Sequence, residues 1–62
     1  MKLTVELTEE QAMALAQMCK RFLHEDAQRF GNRFDDGREA SLIMEAVTRV
    51  ERGLKQEGFA PR

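Results

Sequence analysis

A mainly helical fold, in which a short N-terminal β-strand is followed by an antiparallel two-helix hairpin (βαα), is what this chain predicts, on three features. Leu3, Val5 and Leu7 alternate with Lys2, Thr4 and Glu6, the period of a half-buried strand. Two long stretches, 9–30 and 38–57, then repeat apolar residues at helical spacing. Between them the run "NRFDDG" makes a connector of about six residues, a common length between antiparallel helices. All 62 residues make one domain.

The strand is expected over 2–7. Thr8 follows it, with Gln11 three residues on, the capping-box pattern of a helix start. Glu9 and Glu10 suit the positive end of the helix dipole. On the wheel of the first helix, Met18, Phe22, Leu15, Cys19, Ala12, Leu23 and Ala16 share one broad face. Asp26 falls in the middle of that face, where an unpaired carboxylate is costly. A bend near 24–26 is therefore expected within helix 9–30. Gly31 is read as the left-handed residue that stops this helix. Asp36 with Glu39 repeats the capping pattern for helix 38–57. Gly58 and Phe59, with Pro61 beyond, mark its end and a capped tail over 58–62.

A chain this short buries only about 60% of its unfolded surface and is marginal alone. Small scaffolds are usually stapled by disulfides, a metal or a second subunit. Cys19 is the only cysteine and His24 the only histidine, so neither a disulfide nor a dedicated Cys/His zinc site is available. A partner subunit is left. Two features ask for one. A lone strand leaves its backbone groups unpaired. The apolar sector of the second helix, which includes Leu42, Ala46, Val50 and Gly53, spans roughly 200°, about twice what one neighbour covers. An intertwined homodimer is expected, with Leu3, Val5, Leu42, Ala46, Val50 and Gly53 at its interface.

Catalysis finds little to work with. Cys19 and His24 are five positions apart and point in different directions on a helix. The carboxylates lack metal-loop spacing, "DDGRE" is not a calcium loop, and no glycine-rich phosphate loop is present. No enzyme activity, catalytic residue, metal or cofactor is expected. No apolar run approaches the ~20 residues of a membrane span, and the N-terminus lacks the apolar core of a signal peptide, so a cytoplasmic location is expected. The four methionines, Met1, Met13, Met18 and Met44, read as ordinary core filling.

A net charge of −1 with 34% charged residues is not the basic footprint of a typical nucleic-acid binder. The expected partner is another protein, met through the connector, where Arg33, Asp35, Asp36 and Arg38 cluster between two rigid helices. The order strand, helix, helix, with "KLTVEL" and "SLIMEAV", also resembles the ribbon-helix-helix DNA-binding regulators. That resemblance implies an alternative, a transcriptional repressor whose Lys2, Thr4 and Glu6 face base edges. Asp35 and Asp36 depart from it, because they sit where a phosphate would bind. A second resemblance covers nearly the whole chain. "LTVELTEEQAMALAQMCKR" and the closing "GFAPR" are similar to an uncharacterised family of small proteins from proteobacteria and their phages. It implies a bacterial or phage setting and brings no activity with it; the accessory role expected here, such as inhibition of a partner protein, rests on the near-neutral charge, the acidic connector and the absence of catalytic groups.

Overall fold

The computed structural model describes residues 1–31 and 37–60. Its elements are three helices, α1 (Glu9–Arg21), α2 (His24–Gly31) and α3 (Arg38–Gln56). Among the described residues there is no strand: residues 1–8 form no regular element. The expected βαα fold is therefore corrected to an all-helical one, and mainly helical stands. The reason is that period-two alternation encodes an extended segment with two unlike faces, whereas a strand also needs a neighbour to share hydrogen bonds with. The described residues offer none. Val5 and Leu7 instead line a shallow hollow with Leu54 and Phe59, so the N-terminal segment runs beside the end of α3.

α1 starts as its sequence dictates. The Gln11 N–H donates to Thr8 Oγ1 at 3.1 Å, and the Thr8 N–H donates to Gln11 Oε1 at 3.0 Å, a reciprocal capping box. α1 stops at Arg21. Phe22 turns extended at φ −74°, ψ 118°, and the chain resumes as α2 two residues later. Asp26 explains the restart. Its Oδ2 accepts from the Leu23 N–H at 2.8 Å, while the Leu23 carbonyl accepts from Asp26 and Ala27. Leu23 thus stands at the cap without a capping side chain, and Asp26 reaches back to satisfy its backbone. The carboxylate that looked misplaced on one long wheel is the start signal of a second helix. Asp26→Ala should cost about 1 kcal/mol, seen as a lower midpoint in urea with the m-value unchanged. Asp26→Glu should recover part of it.

Gly31 is not a left-handed stop. The glycines with positive φ are Gly37 at 72° and Gly58 at 93°, and Gly31 is the last residue of α2. A Cβ at Gly31 would sit 2.7 Å from the Ala40 backbone nitrogen and 3.0 Å from its Cα. The residue is glycine because α2 crosses α3 backbone to backbone there. The N-cap of α3 is Gly37, which makes no side-chain cap bond. Asp36, expected at that cap, lies outside the described residues. At the other end the Phe59 N–H donates to the Leu54 carbonyl at 2.8 Å and the Gly58 N–H to that of Lys55 at 3.0 Å. Those two bonds define a Schellman motif.

α1 and α2 each pack on α3 and make no packing contact with one another. The crossings are built from small residues. Ala12, Ala16 and Cys19 of α1 are buried, as are Ala27 and Gly31 of α2 and Ala40 of α3. Among the described residues no large side chain is fully buried. Small residues let helix axes approach closely, and the larger apolar groups are displaced to the rims of the crossings. Leu15, Ile43, Val47 and Leu54 are half-buried there, whereas Met18, Phe30, Leu42 and Val50 are exposed.

Candidate functional site: an apolar groove between the first two helices

Because α1 and α2 lie against α3 without touching each other, a groove opens between them. Its volume is about 680 Å³, and Met18, Phe22 and Phe30 supply its apolar wall. Phe30 is 72% exposed and Met18 46% exposed. Arg21 and Arg29 stand on its rim, and Asp26 lines it too. The Asp26 carboxylate accepts from the Leu23 N–H, and among the described residues the groove's charged lining is two guanidinium groups and this one carboxylate. α3 contributes no lining residue. The local sequence produces this surface. The extended Phe22–Leu23 junction turns α2 away from the course of α1, and the apolar stripe that one continuous helix would have buried is left lining the cleft.

The positions expected from sequence are dispersed. Arg33, Asp35 and Asp36 lie outside the described residues, and Arg38 is exposed at the first turn of α3. Lys2, Thr4 and Glu6, expected on a ribbon that would face DNA, are exposed on a segment with no strand. Leu3 and Val5, expected to pair across a dimer strand, are 77% and 61% exposed. Leu42, Ala46, Val50 and Gly53 are exposed together along one side of α3. The groove residues Met18, Phe22 and Phe30 were not singled out as a site, because on a continuous wheel Met18 and Phe22 fall at the centre of a core face. Asp26 was the available signal. Read as the third residue of a new helix, it breaks the wheel at Phe22 and frees that face.

Cys19 is 5% exposed. Burial, and then the negative charge of Glu51, push its thiol above the ordinary value of 9.0. The thiolate is the nucleophile, so this cysteine is held inert near neutrality. Alkylation at pH 8 should be slow in the folded protein and fast in urea. The stability effect has a defined sign. Below pH 9 both states hold the proton. Above it the unfolded chain ionises first, so stability should decline as pH rises past 9. Cys19 closes α1 against the core, whereas His24 is exposed in the first turn of α2, so the two are separated by the helix break. Among the described residues no group of three or more His, Cys, Asp or Glu side chains is placed to hold a metal ion. No described helix is long and apolar enough to cross a membrane.

Fold and site together define a small all-helical protein with an exposed apolar groove lined by Arg21 and Arg29. The chain belongs to a family of unknown function, DUF7706, whose model matches residues 1–62. No curated protein and no solved structure matches it.

Proposed function

We propose that the chain acts by binding another protein, and that the groove between α1 and α2 receives an apolar segment of that partner flanked by acidic residues. The observation that carries this is the exposure of Phe30 and Met18 in a concave surface rimmed by Arg21 and Arg29. Contiguous exposed apolar surface with a polar rim is the mark of an interaction site. Aromatic, methionine and arginine side chains are the ones enriched at interfaces. Acidic groups on the partner follow from the excess of guanidinium over carboxylate among the groove's described lining residues. The bacterial or phage setting implied by the opening and closing motifs, and the accessory, inhibitor-like role suggested by the near-neutral charge, belong to this same reading.

The test places a photo-crosslinking phenylalanine analogue at Phe30, and separately at Thr48 of α3, in the cell of origin. One protein should crosslink from position 30 and not from 48. The crosslink should disappear when Arg21 and Arg29 are both replaced by glutamate, with helicity by circular dichroism unchanged. Affinity for the partner so identified should weaken with salt, because rim charges are screened. Equal crosslinking of that same protein from both positions would overturn the assignment. Sequence-specific gel shifts on upstream DNA, with a steep salt slope, would overturn the function.

A further inference from the structure

α3 carries two apolar stripes. Ala40, Ile43, Val47 and Leu54 form the buried and half-buried one that meets α1 and α2. Leu42, Ala46, Val50 and Gly53 form the other, centred about 95° away at ~100° per residue. The second stripe is covered by nothing: Leu42 is 56% exposed, Val50 is 43% exposed, and a Cβ built on Gly53 meets no atom within 4 Å.

We propose that this stripe seats a second copy of the chain, with the two α3 helices packed antiparallel, Leu42 of each over Gly53 of the other and Ala46 of each against Val50. Self-complementarity in shape argues for that occupant. Read forwards the stripe is large, small, large, small; read backwards it is small, large, small, large. An antiparallel copy with its two-fold axis near Val47 and Thr48 therefore sets every large group on a small one. A closed symmetric pair needs a patch that fits itself in this way. A parallel pair would set Leu42 on Leu42 and Gly53 on Gly53, a collision and a void.

Charge points the same way. Glu45, Arg49 and Arg52 lie together on one rim of the stripe, exposed. In an antiparallel pair the same rims face each other, so Glu45 of each chain comes beside Arg49 and Arg52 of the other, twice by symmetry. A parallel pair turns that rim away from its copy. The interior adds the need for a partner, since among the described residues the buried side chains are alanines and a cysteine. The resulting dimer uses α3, not the N-terminal segment. α3 lines no part of the α1–α2 groove, so the dimer and the groove assignment stand or fall separately.

Sedimentation equilibrium of the full chain at micromolar concentration should give twice the 7.2 kDa chain mass. Val50→Glu should give the single mass with helicity retained. Glu45→Arg should raise the dimer Kd several-fold, and adding Arg49→Glu should recover it. For orientation, chains carrying Leu42→Cys are mixed with chains carrying Gly53→Cys, both in a Cys19→Ala background. The mixed disulfide should form faster than either like-with-like disulfide. A single chain mass for the unaltered protein at every concentration would overturn the dimer. Faster like-with-like disulfides, or no recovery in the charge swap, would overturn the antiparallel register.

Discussion

Gly31→Ala should lower the thermal midpoint by on the order of 10 °C, the largest effect expected of any single methyl group in this chain. Two terms oppose each other. Alanine in place of a helical glycine gains up to ~1 kcal/mol. Forcing a group into occupied space costs ~1–3 kcal/mol. The second wins because the atoms met are Ala40 N at 2.7 Å and Ala40 Cα and Glu39 C at 3.0 Å. They are backbone, and backbone in a helix cannot swing aside as a side-chain tip can. A net loss near 2 kcal/mol is a large part of the ~3–9 kcal/mol that a domain of this size holds, and each kcal/mol moves the midpoint by ~4–8 °C. A second substitution sharpens the test. Ala40→Gly removes a Cβ but keeps both clashing atoms of residue 40, so Gly31→Ala with Ala40→Gly should be no more stable than Gly31→Ala alone. Recovery would mean that the two helices meet through side chains.

Ala16→Leu is expected to destabilise by ~1–3 kcal/mol, although it adds apolar volume to the interior. Ala16 is 0% exposed in the face of α1 that packs on α3. In a loose core each newly buried methylene would contribute ~0.8 kcal/mol, and leucine would stabilise. In a crossing built on alanines there is no space to receive it, and α1 must lift away. Ala14→Leu is the matched control. Ala14 is exposed and lines the groove, so the same added carbons should change stability by less than ~0.5 kcal/mol while filling part of the cleft. Urea titration separates the two outcomes by sign.

What could be read from residues alone was governed by distance along the chain. The start of α1 rests on Thr8 and Gln11, three residues apart. The end of α3 rests on Leu54, Gly58 and Phe59, within six. Local chemistry of that kind is legible because its partners are close in sequence. The N-terminal strand was misread because alternation reports only that one side of an extended segment is apolar; it does not supply a neighbouring strand, and here Val5 and Leu7 only edge a hollow with Leu54 and Phe59 while Leu3 stays exposed. Gly31 was misread for a different reason. A helix-stop glycine and a close-packing glycine look alike until it is known that Ala40 lies beneath one of them. The groove was hidden by the same limit. The wheel located an apolar face on 9–30, but whether its small edge or its large centre is buried depends on how closely α1 approaches α3. The alanines took the contact and left Met18 and Phe22 to the cleft.

An interior made of alanines also fixes how this protein responds to heat. The heat-capacity change of unfolding follows the apolar area that is newly wetted, ~0.45 cal/K/mol per Å². A single chain that keeps Met18, Phe30, Leu42 and Val50 in water when folded has less apolar area left to wet on unfolding than a chain of its length that buries large side chains. Its stability curve is shallower than that of such a chain, and its unfolding enthalpy changes less between cold and warm. Any excess in the measured heat capacity then reports surface covered by association rather than by folding, so one calorimetric slope weighs the chain's own interior against what its neighbours conceal.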